Sequence, residues 1–228
     1  MCKVSVILTS YNNPVFLERA IKSVLSQTFE DYQLIIADDN SSNKDVYDVI
    51  SRYQNHKKVR YFNSNIKEED RLKTARYATQ INYAVREYAT GKYLLYLADD
   101  DFYYPTMLEK MVAFAEVNSY DVVYCKQDFA DVDGNVRSFR FPNEILSHGM
   151  DSVDHNQVMT SRESFDKVNG WEDDPGCWGG ADGYFWQRLN DAGYLFYPID
   201  TGEPLQAKTY REQSVQWRIS QGMLPVVQ

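Results

Sequence analysis

Apolar and polar positions alternate in two rhythms along the first half of this 228-residue chain. Short apolar runs at Val4 to Thr9, Gln33 to Ala37, Val59 to Phe62 and Tyr93 to Ala98 have strand length, and their β-branched and aromatic content favours strand over helix. Between them apolar residues recur at helical spacing. Leu17, Ala20, Ile21, Val24 and Leu25 form one stripe, and the stretch around Val46 to Tyr53 forms a second. Ala78, Ile81, Asn82, Val85 and Ala89 share a face within residues 71–88, and Met107, Leu108, Met111, Val112 and Ala115 mark the fourth. Pro14 suits the first position of a helix, with Asn13 before it as a cap. The order is strand then helix, four times over. It predicts an α/β chain built on a mixed, mostly parallel sheet with helices on its faces.

Beyond residue 120 the rhythm changes. Asp121 to Lys126 reads as a strand, Asp133-Gly134-Asn135 as a hairpin turn, and residues 127–157 as otherwise irregular. Thr160 to Val168 predicts a short helix. Residues 170–183 form a loop rich in glycine with two tryptophans, and Asp182 opens a helix that Gly193 closes. Tyr194 to Ile199 reads as a last strand. After Asp200 the tail is polar apart from Trp217, Ile219 and an apolar end at 223–227. With no repeat and no long linker, the reading is a single domain over 1–228, divided into parts 1–115 and 116–228.

The ends of the strands carry the candidate chemistry. The fourth run stops abruptly at Asp99-Asp100-Asp101, and the second at Asp38-Asp39-Asn40-Ser41. The first ends in Thr9-Ser10-Tyr11-Asn12. In open α/β sheets ligands bind at the carboxyl ends of strands. Adjacent carboxylates repel unless a cation or hydrogen-bond donors relieve them, and oxygen-only ligands suit Mg²⁺ or Mn²⁺. Tyr11 could stack on a base, and Asp39 could accept the N–H of a pyrimidine. Asp99 and Asp100 could hold a ribose hydroxyl and a divalent cation on a diphosphate, and Asp182 could act as a general base. Structural alternatives stand beside each assignment: Asp39 as a helix cap, Tyr11 as core, Asp182 as an N-cap.

Composition narrows the classes. A formal net charge of −9 argues against nucleic acid as the partner. Cys2, Cys125 and Cys177 are widely spaced and form no C-x-x-C pair, so neither a disulfide framework nor a zinc site is expected. A reduced, cytoplasmic setting is the simpler reading, with no signal peptide at Met1 to Thr9 and no apolar run of membrane-spanning length.

The segments Val4 to Asn12, Leu25-Ser26-Gln27-Thr28, Asp38 to Ser41, Lys73 to Ala78 and the Asp99-Asp100-Asp101 loop resemble family 2 glycosyltransferases of the GT-A fold. The likeness is looser at Asp154-His155 and Phe185-Trp186. It covers roughly residues 3–200 and is strongest to about residue 115. The resemblance implies inverting transfer of a sugar from a nucleotide diphosphate, with UDP the expected nucleotide, to a saccharide or other hydroxyl acceptor, assisted by Mn²⁺ or Mg²⁺. Carried over, Thr9, Tyr11, Asp39, Arg71 and Asp99 bind the nucleotide, Asp100 and Asp99 hold the metal, and Asp182 is the general base. Residues 1–115 become the nucleotide-sugar part and 116–228 the acceptor side, where His155 and Trp178 are the acceptor candidates. Peripheral contact with a membrane through the acceptor fits this reading. The chain departs from the family pattern at Ala98 and Ala181, where many members carry acids.

Two other classes compete. A nucleotidyltransferase would make the sugar nucleotide, but such enzymes usually carry a glycine-rich, basic loop after the first strand, which Ser10-Tyr11-Asn12-Asn13 lacks. A non-catalytic nucleotide-sugar-binding subunit would not need Asp99, Asp100 and Asp182.

Overall fold

The computed structural model describes residues 2–150 and 152–210. The tail residues Trp217, Ile219 and 223–227 lie outside them. The first half follows the predicted alternation: β1 (Val4–Ser10), α1 (Pro14–Leu25), β2 (Tyr32–Asp38), α2 (Lys44–Tyr53), β3 (Val59–Asn63), α3 (Arg76–Glu87), β4 (Tyr93–Ala98). Next come the two-residue β5 (Phe102–Tyr103) and α4 (Met107–Asn118). The second half adds β6 (Val122–Cys125), β7 (Gln127–Ala130), β8 (Val136–Arg140), β9 (Val158–Ser161), α5 (Arg162–Lys167), α6 (Ala181–Asp191), β10 (Tyr197–Ile199) and β11 (Gln206–Thr209).

A seven-stranded sheet runs β10-β6-β9-β4-β1-β2-β3. It is mixed and mostly parallel, as predicted. Strand β9 lies antiparallel between β4 and β6, and the other adjacent pairs are parallel. Both faces are covered, which is why the strands read as unbroken apolar runs. Val6 and Leu8 point to a core shared with Leu17, Val46 and Met111 from α1, α2 and α4. Ile7, between them in sequence, faces the core shared with Ile81, Phe165 and Phe185 from α3, α5 and α6. Burying each such side chain contributes about 1.5–3 kcal/mol. A β-carbon at Gly91 would lie 2.5 Å from the Ser5 nitrogen, so the turn into β4 tolerates only glycine at that point.

A second, four-stranded sheet runs β5-β11-β7-β8. Strand β11 is parallel to β7 and antiparallel to β5.

Several expectations are corrected. The helix expected over 160–168 is a strand to Ser161 followed by α5, because Thr160 pairs with Leu94 and Val122 inside the sheet. The helix expected over 71–88 begins at Arg76, after a 3-10 segment at Glu68–Lys73 with no buried residue. The last predicted strand starts at Tyr197, and Phe196 instead bridges Leu146. The polar segment after Asp200 contains β11, whose polar side chains Gln206 and Thr209 are buried. Residues 127–140, read as irregular around a hairpin turn, are the β7–β8 hairpin.

No helix among the described residues is long and apolar enough to cross a membrane. Cys2, Cys125 and Cys177 are free.

Candidate active site

Strand register brings the acidic loops together. Thr9, half-buried, pairs with Ala37 on one side and Ala98 on the other. The chain continuing from β1 is therefore flanked by Asp38-Asp39 and by Asp99-Asp100. These contacts follow from parallel pairing alone, since all three strands end at the same level.

Tyr11 is 40 % exposed, so it is not core. Its N–H donates to Asp99 Oδ2 at 2.9 Å, and the Arg71 guanidinium lies 3.7 Å from its ring centroid. Asn13 precedes α1 but does not cap it through its side chain; its amide donates to Asp99 Oδ1 at 2.9 Å instead. Asp39 is buried and is not the cap of α2, because Asn43 fills that role by accepting from Asp45 N–H. The Asp39 carboxylate accepts from Arg71 Nη2 at 2.7 Å, Arg76 Nη2 at 2.6 Å and Gln80 Nε2 at 2.9 Å. Arg76 lies in the Lys73 to Ala78 stretch that carried the resemblance but was given no role there, and Gln80 was not singled out; their place on the first turns of a helix facing Asp39 was the missed signal.

The three consecutive acids of the β4 loop have three different environments. Asp99 is tied to the β1 loop through Tyr11 and Asn13. Asp100 is half-buried, and its backbone carbonyl accepts from Arg19 Nη2 at 2.7 Å. Asp101 is buried and accepts from Thr209 N–H at 2.7 Å and Asn156 Nδ2 at 2.8 Å. Burial, then the neighbouring Asp100 charge, pushes the Asp101 carboxyl well above the usual carboxylate range, with Lys208 acting against them.

Asp182 is the second residue of α6. The cap position belongs to Gly180, so the N-cap alternative for Asp182 does not hold. Its Oδ1 accepts from Gly183 N–H at 3.0 Å, and its Oδ2 lies 3.6 Å from His155 Nδ1. His155 sits in a 3-10 turn, His155–Gln157, capped by Asp154. Its ring packs beside Tyr77 and edge-on to Trp171. Tyr77 in turn accepts from Ala181 N–H at 2.7 Å, which ties α6 to α3.

Trp171 is core, stacked on Phe185, and Trp178 is half-buried against the same cluster. The Trp178 indole N–H has no protein partner. Tyr184 and His148 are exposed, and neither contributes to the cluster around Asp182.

Two sets of groups offer themselves to a divalent cation. The oxygen-only pair Asp99 and Asp100 fits a hard ion such as Mg²⁺ or Mn²⁺. Asp154, His155 and Asp182 also bring ligand atoms within 4.8 Å of one another. There the Lys208 ammonium already binds Asp154 Oδ2 and supplies a positive charge to that carboxylate. Burial works to raise the Asp154 carboxyl, but the Lys208 ammonium, His155 and the Asn156 N–H outweigh it and hold it far below the carboxylate range. Lys208 is half-buried; desolvation works against its charge, while Asp154 and Asp101 raise its pKa on balance. Lys208 escaped the sequence reading because β11 did.

A model of glycosyl transferase family 2 matches residues 5–180. Protein CgeD of Bacillus subtilis is 40% identical over 199 residues, which is 83% of this chain and 46% of CgeD. The chain thus spans less than half the length of that relative. Among solved structures, S. aureus TarS 1-349 in complex with UDP-GlcNAc superposes with a TM-score of 0.73 at 16% identity, covering 93% of this chain and 60% of TarS 1-349. The mannosyltransferase PcManGT from Pyrobaculum calidifontis, in complex with GDP-Man and Mn²⁺, gives a TM-score of 0.71 at 15% identity, covering 96% and 61%. At these identities the structural likeness establishes the α/β fold, which is that of GT-A glycosyltransferases.

Proposed function

The chain belongs to glycosyltransferase family 2, and we propose that it moves a sugar from a nucleotide diphosphate, UDP being the expected nucleotide, to an acceptor hydroxyl with inversion at the anomeric carbon. The observation that carries this reading is the convergence set by the β1 register. Thr9, Tyr11, Asp39 and Asp99 lie at one edge, with Arg71 over Tyr11, and a separate carboxylate, Asp182, stands beyond the acidic loop.

In this reading Tyr11 offers an aromatic face to the base, while Asp39 and Arg71 frame its edge. Arg76 and Gln80 hold the Asp39 carboxylate in place from α3. Asp100, with Asp99, would hold Mn²⁺ or Mg²⁺, which supplies charge neutralisation to a departing diphosphate. Asp182 accepts the proton of the acceptor hydroxyl as that oxygen attacks the anomeric carbon. The bond from that carbon to the diphosphate oxygen breaks on the opposite face, and the electron pair leaves with the nucleotide. His155 and Trp178 border the side from which the acceptor would enter. The nucleotide complexes of TarS and PcManGT lend support to a nucleotide-sugar donor, and they differ in base.

The test is a screen of UDP-, GDP- and dTDP-sugars for nucleotide diphosphate release, with and without Mn²⁺, in the parent protein and in Asp182→Asn. Release from one donor class, lowered on the order of 10²-fold in Asp182→Asn, is expected. Pyrophosphate release from a nucleoside triphosphate instead would replace this reading with a nucleotidyltransferase. Tight nucleotide-sugar binding without turnover on any hydroxyl acceptor would replace it with a binding subunit.

A further inference from the structure

The acidic loop and Asp182 belong to elements far apart in the sequence. Neither β4 nor α6 by itself fixes one relative to the other. One buried side chain reaches from the acidic loop to Asp154, beside the His155 that faces Asp182. Asn156 is fully buried. Its Oδ1 accepts from Ala98 N–H at 2.8 Å, and its Nδ2 donates to Asp101 Oδ2 at 2.8 Å and to Asp154 Oδ1 at 2.5 Å. Ala98 and Asp101 bracket the Asp99–Asp100 pair. Asp154 neighbours His155, which faces Asp182.

The register explains why this residue has that reach. Strand β9 pairs with β4 at Tyr93 with Ser161, Leu94 with Thr160 and Leu95 with Met159, and the backbone ladder stops there. Each pair sums to 254, so continuing the register by three places sets residue 156 opposite residue 98. The Asn156 side chain takes over at that position and satisfies the N–H that ends β4. Its two remaining hydrogens go to two carboxylates. A carboxamide suits this junction because it carries one acceptor and two donors on one short stem. Aspartate would lose the donors and add a third negative charge; serine has one hydrogen and cannot serve both acids.

Resting on the proposed reading of Asp99, Asp100 and Asp182, we infer that Asn156 is a positioning residue: it holds the cation-binding turn at 99–100 in register with the acceptor-side cluster of Asp154, His155 and Asp182. It touches no reacting atom. It acts by keeping the turn bracketed from both sides, at Ala98 and at Asp101.

The probes are UDP and Mn²⁺. UDP affinity is measured by calorimetry with and without Mn²⁺ in the parent, in Asn156→Asp and in Asn156→Ser, the second variant covering a failure of the first to fold. The metal-dependent gain in UDP affinity should fall about tenfold or more, the scale on which residues supporting metal ligands act. Affinity without metal should fall by less than the metal-dependent gain, since the nucleoside groups Tyr11, Asp39 and Arg71 contact neither Asn156 nor Asp101 and meet the turn at Asp99, which the Tyr11 N–H holds.

Asn82→Asp is the structural control. Asn82 is another buried amide, clamping the Trp171 backbone through hydrogen bonds of 2.8 Å in both directions. Its replacement should lower the melting temperature and leave the Mn²⁺ gain unchanged. The pair Asp101→Asn with Asn156→Asp reverses the hydrogen bond between the two positions and should recover part of the gain lost in Asn156→Asp alone. Asn156 variants that fold and keep the parent's Mn²⁺ gain overturn this inference while leaving the donor reading intact, as does a control that loses the gain equally. A parent protein whose UDP affinity ignores Mn²⁺ overturns the metal reading and this inference with it.

Discussion

Replacing Lys208 by methionine removes the cation that two buried carboxylates face. Asp154 is 3% exposed and Asp101 1%, and the Lys208 ammonium is bonded to the first and raised in pKa by both. Methionine keeps most of the aliphatic stem, so the loss is chiefly electrostatic. Breaking a buried ion pair by deleting one partner costs about 3–5 kcal/mol, because the other charge is stranded. For a chain of this size 1 kcal/mol moves the melting temperature by about 2–4 °C, so a drop of roughly 6–20 °C is expected. The pH dependence has a definite sign. In the parent, the Asp154 carboxyl is held below its unfolded value near 3.9, so its contribution is present above that pH and is lost only as pH falls through the lower folded pKa. Without the ammonium, the largest influence holding the carboxyl down is lost and burial pushes it upward, against His155 and the Asn156 N–H. The penalty is then full at neutral pH and is relieved as acid protonates the stranded group. Melting curves of parent and Lys208→Met at pH about 7.5, 6 and 4.5 should therefore show a deficit that narrows toward acid. Adding Asp154→Asn to Lys208→Met removes the stranded charge while keeping an oxygen to cap the 3-10 turn, and should restore most of the loss. A deficit below about 1 kcal/mol at neutral pH, or one equally large at all three pH values, would refute the argument that Lys208 neutralises this cluster.

In the parent protein, UDP with Mn²⁺ at about 100 times its Kd should add about 2.7 kcal/mol of stability. Asp100→Ala should remove the metal-dependent part of that gain in a thermal-shift assay; equal stabilisation with and without metal in the parent would remove Asp100 as a ligand. Asp39→Asn should weaken UDP binding and also destabilise the unliganded protein by a few kcal/mol, because Arg76, 6% exposed, loses its carboxylate partner. An Asp39→Asn protein as stable as the parent would show that Arg76 finds another partner. Asn43→Ala should cost about 1 kcal/mol through loss of the α2 cap, with nucleotide binding unchanged.

The sequence by itself determined the first half of the fold and which strand-end loops meet. Unbroken apolar runs of strand length alternating with helical stripes leave a parallel sheet as the simplest arrangement. In such a sheet the carboxyl ends of neighbouring strands must meet. Tyr11, Asp39 and Asp99 were therefore legible as one constellation before any coordinate, and the acid at 182 stood out on its glycine-flanked loop. Only the tertiary structure decided the second half. Thr160 reads as helical next to Phe165 and Val168, yet the slot between β4 and β6 makes Val158 to Ser161 a strand. Gln206 and Lys208 look like solvated tail because local polarity carries no record of what a distant segment will offer. Lys208 can sit half-buried because Asp154, more than 50 residues away in the chain, supplies the charge that makes desolvation of an ammonium tolerable. The same holds for Asn156, Arg76 and Gln80. Each is an ordinary polar residue in the sequence, and each acquires its role when the fold closes an acid against it, since hydrogen bonds and ion pairs across the chain depend on register and packing that periodicity does not encode.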